Sequence, residues 1–457
     1  MYSIHTFLLQ KELFRSPEPV KTTVVSSFTD TPALQQIARQ ADSDYILFYT
    51  GTSPIELHPY AIGRMYQIAE SNDGALFYSD YQEIRQGKKI HHPTLEYQTG
   101  SIRNDFDFGQ LLLFRNDSFQ QVVAQMNTDY RFAALYELRL SISRLGKIVH
   151  IPETLYTVQP TDLRLSGEKQ FDYVDPANRE VQLEMEAVCT AHLQAIGAWL
   201  APEFQRIDFG QENFAREASV IIPVRNRKRT IAEAVESALQ QQTDFSFNVI
   251  VVDNHSTDGT GQILTELSRR YPNLIHHIPA STELGIGGCW TEAILLPECG
   301  KFAIQLDSDD LYKDCHVLQR IVDTFYQENC AMVIGSYQMV DFKLEEIPPG
   351  LIAHREWTPD NGRNNALRIN GLGAPRAFYT PVLRQIKFPN VSYGEDYATA
   401  LAISRKYPIA RIYDPLYLCR RWEENSDHDL DIQQLNNYNF SKDKIRTLEI
   451  QARISGK

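Results

Sequence analysis

Apolar residues fall in two rhythms along the second half of the chain. Ala218-Ser219-Val220-Ile221-Ile222-Pro223-Val224 and Phe247-Asn248-Val249-Ile250-Val251-Val252 are short β-rich runs, the pattern of strands buried on both faces. Between them, Ile231 to Gln241 repeats its apolar positions at helical spacing behind Thr230, a residue suited to capping. Gln262 to Arg270 predicts a second helix, capped by Ser256 or Thr257, with its amide end turned to the loop Asp253 to Thr260. Strand, helix, strand, helix predicts a parallel sheet with right-handed crossovers. A further run, Phe302-Ala303-Ile304-Gln305-Leu306, predicts a buried strand ending in Asp307-Ser308-Asp309-Asp310, with a helix expected from Leu311. Ile409 to Leu418 predicts the last strand.

The carboxyl edge of such a sheet is where ligands bind. Clustered carboxylates with no basic neighbour repel one another, and a hard divalent cation such as Mg²⁺ is the usual remedy; it could in turn hold a diphosphate. Taken alone, the tetrapeptide reads equally well as a solvated turn capping the next helix. Gly285-Ile286-Gly287-Gly288 also opens a helix, but Trp290 stands at the sixth position of a dinucleotide fingerprint, and there is no Gly-Lys-Ser/Thr loop. Dehydrogenase and P-loop readings therefore lose their support.

With 457 residues, 43% of them hydrophobic and 11% aromatic, the chain is long enough for two or more domains, each with its own core. A formal net charge of −13 counts against nucleic acid or an anionic membrane surface as a general partner. No stretch approaches the ~20 apolar residues of a membrane span, and the opening Met1 to Gln10 lacks a basic leader, so a cytoplasmic protein is expected. The six cysteines show no Cys-x-x-Cys spacing and read as reduced and structural. The adjacent pairs His91-His92 and His276-His277 point their side chains apart on a helix or strand and do not form metal sites.

Five motifs in order resemble a known family. Val220-Ile221-Ile222-Pro223-Val224-Arg225-Asn226, Val251 to Thr260 and Leu306 to Asp310, followed by Tyr393-Gly394-Glu395-Asp396-Tyr397 and Cys419-Arg420-Arg421-Trp422, resemble the nucleotide-sugar half of a family-2 glycosyltransferase over roughly residues 216 to 430. The resemblance implies a GT-A fold, an α/β architecture with a mixed, mostly parallel sheet and helices on both faces. It implies that Pro223, Arg225 and Arg227 line the nucleotide, that Asp253 meets the base or ribose, that Asp307 faces the ribose, and that Asp309 holds Mn²⁺ or Mg²⁺ against the diphosphate. Asp396 beside Glu395 would be the catalytic base at the acceptor, His428 a metal ligand, and Arg421 a partner of the diphosphate. Two departures bear on nucleotide choice: Arg225 stands where an aromatic is frequent, and Trp290 near where an arginine is frequent. The implied partners are a nucleotide-diphosphate sugar donor and a glycan or lipid-linked acceptor. A hydroxyl is a poor nucleophile, so a positioned carboxylate must take its proton as it attacks the anomeric carbon. One base and one cation imply a single displacement with inversion. Taken alone, Glu395-Asp396 is also what the first turn of a helix favours.

The first half reads as a worn copy. At a shift of 261, Leu140/Leu401, Ile142/Ile403, Ser143/Ser404, Arg144/Arg405, Ile148/Ile409, Ile151/Ile412, Leu155/Leu416 and Tyr156/Tyr417 are identical. Asp44 to Thr52 resembles the strand and loop at Phe302 to Asp309, and Ala75 to Asp80 resembles Ala331 to Tyr337. In the copy Thr50-Gly51-Thr52 replaces Asp307-Ser308-Asp309, and Ala134 and Leu135 replace Glu395 and Asp396. The expected organisation is a degenerate, truncated GT-A-like α/β domain (1–170), a helical linker (171–214) with its helix between Val174 and Ala201, the catalytic domain (215–430), and a polar tail (431–457) that is helical from Ser441. Self-association into a homo-oligomer stays open. The alternatives are an inactive carbohydrate-binding or scaffold protein of the same fold and a tandem bifunctional polymerase. The missing carboxylates count against the polymerase.

Overall fold

The computed structural model describes residues 2–159, 178–210, 213–422 and 431–456. The chain divides into two compact units, Met1–Trp199 with Leu367–Ile369 and Leu430–Lys457, and Leu200–Ala366 with Asn370–Asp429. This division differs from the expected boundaries at the tail, which groups with the first unit.

Among the described residues the first unit holds nine strands: β1 (Ile4–Leu8), β2 (Phe14–Arg15), β3 (Lys21–Val24), β4 (Tyr45–Tyr49), β5 (Ile55–Leu57), β6 (Gly74–Arg85), β7 (Lys88–His92), β8 (Leu111–Arg115) and β9 (Lys147–Val158). Their order is β2-β5-β9-β6-β8-β4-β1-β3, with β7 on β6. All five residues of β4 are buried, as its unbroken apolar run requires of a central strand. The Phe48 ring packs against Phe28, Phe114 and Phe119 at 4.6 to 5.7 Å between centroids.

A helix covers Arg179–Ala195; the expected start at Asp175-Pro176 lies outside the described residues. The C-terminal helix runs Ile432–Ile454, nine residues earlier than expected, because Asp431 caps it by accepting from Gln434 N at 2.8 Å. It is no loose tail. Asp443, fully buried, accepts from Ser101 Oγ (3.0 Å), Arg103 Nε (3.2 Å) and Arg446 Nη1 (2.8 Å). Arg453 Nε donates to Glu449 at 2.8 Å one turn further on.

The second unit holds β10 (Ala218–Val224), β11 (Phe247–Asp253), β12 (Leu274–His277), β13 (Phe302–Gln305), β14 (Leu311–Tyr312), β15 (Met332–Val340), β16 (Glu346–Ile352), β17 (Arg376–Tyr379) and β18 (Ile409–Arg420). The order is β12-β11-β10-β13-β17-β15-β18-β14, with β16 on β15. The first four are parallel as expected, while β17 runs antiparallel to both β13 and β15. Leu311 does not begin a helix. Leu311-Tyr312 instead pairs with β18, and the helix starts at Val317. Thr230 stands at the head of the helix Ile231–Leu239 without a capping bond from its side chain. The helix Thr260–Arg270 begins at Gly259, and Asp258, not Ser256 or Thr257, accepts from Thr260 N at 2.9 Å.

Both sheets repeat one plan. The order β3-β1-β4-β8-β6-β9-β5 in the first matches β11-β10-β13-β17-β15-β18-β14 in the second, and each neighbouring pair keeps its parallel or antiparallel sense. Phe114 lies opposite Ile46 and Leu76, and Phe378 opposite Ala303 and Met332. Counting along β4 and β13 from these pairs puts Thr50 at the position of Asp307 and Thr52 at that of Asp309.

The Asp443 cluster generates a stability prediction. Asp443→Leu should cost about 3–5 kcal/mol in urea unfolding, because it leaves Arg103 and Arg446 buried without their shared counter-charge. A loss below about 1 kcal/mol would show that the cluster does not hold the helix.

Candidate active site

The site grows from the carboxyl ends of β10, β11 and β13 and from the strand β17 beside them. β13 ends in Gln305, 3% exposed, a polar side chain inside an apolar run. Its amide nitrogen donates to both carboxylate oxygens of Asp307, at 2.9 and 3.0 Å. Its carbonyl accepts from the backbone N (3.1 Å) and Nε (3.0 Å) of Arg376. Arg376 Nη1 pairs with Asp396 Oδ2. A continuous polar chain thus runs from the acidic loop to the head of the helix Glu395–Ser404.

Burial pushes the Asp307 carboxyl up, moderated by Arg376. Burial, then the charges of Asp309 and Asp307, pushes Asp310 far above the ordinary range. Asp310 Oδ1 accepts from Arg420 N at 2.7 Å. Asp309, like Asp307, is partly exposed, with its Oδ2 3.3 Å from Trp422 Nε1 and 3.7 Å from Arg227 Nε. Among the described residues no group of three or more His, Cys, Asp and Glu is arranged around a cation. The residues present still fit one: a hard carboxylate oxygen at partly exposed Asp309 is a donor that Mg²⁺ accepts where phosphates and water complete its shell. His428 lies outside the described residues.

The remaining expected residues fall as follows. Pro223 is half-buried in β10 and Arg225 is exposed in the loop behind it. Arg227 approaches Asp309, and Arg229 lies over the Phe342 and Trp422 rings at 4.6 and 4.9 Å. Asp253 is 2% exposed at the end of β11, where burial is outweighed by hydrogen bonds from His276 and Ser256, so it stays below the usual carboxylate range. Arg421 is half-buried and gives its backbone N to Val340 O at 2.8 Å. Its neighbour Arg420 is the fully buried one, reaching Asp309 O with Nε and Glu233 with Nη1. Trp357 and Trp422 are both buried.

Glu395 and Asp396 form the first turn of their helix, behind Gly394 at φ 80°. Asp396 is partly exposed, whereas Glu395 is enclosed and its Oε2 has no hydrogen-bond partner among the described residues. Burial, then the charge of Asp396, pushes the Glu395 carboxyl up to about 8.

Sequence reasoning missed Gln305, Arg376 and Arg420. Gln305 carried a signal, since a glutamine in a buried strand needs partners at both ends. Arg376, a lone arginine in a four-residue strand, carried none.

Residues 219–386 match the family model described as glycosyl transferase family 2. The matched stretch lies within the second unit, which is thus similar to family-2 glycosyl transferases. Among similar proteins, the poly(ribitol-phosphate) beta-glucosyltransferase of Bacillus spizizenii is 25% identical over 44% of this chain and 32% of its own. An uncharacterized glycosyltransferase of Nostoc sp. is 32% identical over 27% of this chain and 37% of its own. The chain thus spans about a third of the length of these relatives. The crystal structure of S. aureus TarS 1–349 in complex with UDP-GlcNAc has 23% identity, with a TM-score of 0.40 over 52% of this chain and 72% of that one. No helix among the described residues is long and apolar enough to cross a membrane.

Glu395 generates a pH prediction. Its folded pKa near 8 lies above the ordinary value of 4.5, so the native state keeps a proton that the unfolded chain releases. The group's contribution to stability is intact below about 4.5, falls by at most about 1.4 kcal/mol per pH unit up to about 8, and then levels off. Glu395→Gln should therefore melt like the parent at pH 5 and increasingly above it toward pH 8. A melting difference independent of pH would rule out a protonated Glu395.

Proposed function

We propose that the protein transfers a sugar from a nucleotide-diphosphate donor to a hydroxyl of a glycan or lipid-linked acceptor, by a single inverting displacement in the second unit. The observation that supports this reading is the polar chain Asp307–Gln305–Arg376–Asp396, which links the acidic loop to the head of the helix that carries Asp396. Pro223, Arg225, Arg227 and Asp253 line the nucleotide side, and Asp307 meets the ribose. Asp309 would hold the divalent cation, with His428 and Arg421 as further candidates for the cation and the diphosphate. When bound, Mn²⁺ or Mg²⁺ supplies charge neutralisation to the leaving diphosphate. Asp396 takes the hydroxyl proton as the oxygen attacks the anomeric carbon, and Glu395, kept neutral, does not compete for it.

The first unit we assign no transfer chemistry. Thr50 and Thr52 cannot hold a cation as carboxylates do, and a Cβ at Gly51 would overlap Gln110 Oε1 and the Tyr49 ring. At the head of the helix Ala134–Leu145, Glu184 accepts from the backbone N of Arg131 (3.1 Å), Phe132 (2.8 Å) and Ala133 (3.1 Å), filling the place where the second unit carries its acids. The shared strand plan supports an origin by duplication, with the copy now structural or acceptor-binding.

A panel of sugar nucleotides assayed for release of nucleoside diphosphate, with and without Mn²⁺, tests the reading. Asp396→Asn should keep donor affinity and lose at least a hundredfold in turnover. Asp309→Ala should weaken both donor binding and turnover and abolish any dependence on Mn²⁺. An Asp396→Asn enzyme with parental turnover would remove the base assignment.

A further inference from the structure

We propose that Arg376 is the positioning residue of the transfer site: it fixes the negative charge on Asp396 and, through Gln305, ties that carboxylate to the donor loop at Asp307. The inference rests on Asp396 being the base. A guanidinium is a rigid planar fork, and here its Nε side is spent on Gln305 while Nη1 meets Asp396. Gln305 in turn has its carbonyl on Arg376 and its amide on both oxygens of Asp307, so neither end can turn without leaving a buried group unpaired. The orientation of Asp396 is therefore coupled to that of the loop that would receive the donor.

The same contact bears on which of two adjacent acids carries the charge. Glu395 and Asp396 are sequence neighbours on one helix turn, and like charges so close disfavour double ionisation. Arg376 meets Asp396, which is partly exposed, and Glu395 is enclosed with an unpartnered oxygen. The Arg376 contact thus favours the charge on Asp396 and leaves the proton with Glu395, in keeping with the raised Glu395 value. The charged or titratable groups around Arg376 include Asp396 and Glu395 from the helix, Asp307 from the donor loop, Tyr417 from β18 and His354 just after β16.

The first unit separates this role from a merely structural one. Phe48 and Leu112 face each other across β4 and β8, at the positions of Gln305 and Arg376, so the strand pair forms without the polar link. The link follows the acids, not the sheet.

The test is the pH profile of kcat/KM for nucleoside diphosphate release, using whichever of UDP-glucose, UDP-N-acetylglucosamine and GDP-mannose turns over fastest. Arg376→Met should lower kcat at least tenfold, leave donor Kd within threefold, and move the acid limb up by about one pH unit, since removing a contacting cation raises a carboxylate's pKa. Arg376→Lys, which returns the charge without the fork, should bring the acid limb back. Melting curves establish folding. If Arg376→Met does not fold, Arg376→Lys and Gln305→Leu carry the test, each expected to lower kcat several-fold with the acid limb in place. A folded Arg376→Met with the parental acid limb overturns the proposal, as do Lys and Leu variants with parental kcat. Parental activity in Asp396→Asn would instead sink the base reading; an inactive Asp396→Asn beside an unmoved limb in Arg376→Met sinks only the positioning role.

Discussion

Carboxylates crowded behind Leu306 are the constraint on which the second unit depends. Asp307, Asp309 and Asp310 lie within four residues at the end of a buried strand, where burial and mutual repulsion push Asp307 and Asp310 toward the neutral form. The protein answers with polar partners drawn from the end of the same strand and from β17 and β18. Gln305 holds Asp307, Arg420 of β18 holds Asp310 and the Asp309 carbonyl, and Tyr417 accepts from the Asp307 backbone N at 2.9 Å. Arg376 extends the same network to Asp396. Each of these partners is buried or nearly so, which keeps the acids fixed in place and leaves Asp309 facing outward.

The first unit shows what the sheet requires without the acids. Tyr156, at the position of Tyr417, keeps a backbone partner, accepting from Gln110 N at 2.8 Å. The tyrosine is thus a fixture of the strand plan. Where Gln305 and Arg376 stand, Phe48 and Leu112 make an apolar contact instead, and Phe48 joins an aromatic cluster. Once the carboxylates are gone, a buried glutamine and arginine have nothing to pair with, and apolar side chains serve better there.

Much of this was legible from apolar rhythm. The strands β10, β11 and β13 and the loops behind them follow from runs of Val and Ile that suit a sheet covered on both faces. The misreadings have particular causes. Leu311-Tyr312 after an acidic turn has the form of a capped helix start, but β18 offers an edge partner that only the fold reveals. Arg420 and Arg421 are alike in sequence, and the alternation of a strand decides which one faces inward. The C-terminal helix looked like a polar tail because its buried face is charged: Asp443, Arg446, Glu449 and Arg453 recur at helical spacing and neutralise one another. Hydropathy carries no signal for such a face, although the spacing of the charges does.

Arg376 was illegible for a deeper reason. A motif is readable when its residues adjoin in sequence, as Asp307 to Asp310 and Glu395-Asp396 do. The residue that joins two such motifs belongs to neither and is set by the pairing of β17 with β13, which brings positions 305 and 376 side by side. Its identity is constrained by geometry on two sides at once: one edge must satisfy a glutamine carbonyl and another a carboxylate, and only a planar fork does both. A lysine at that place would meet one partner and leave the other buried and unsatisfied, at a cost of about 1–3 kcal/mol. The arginine is therefore as determined as either acidic motif, but by the sheet and not by its neighbours in the chain.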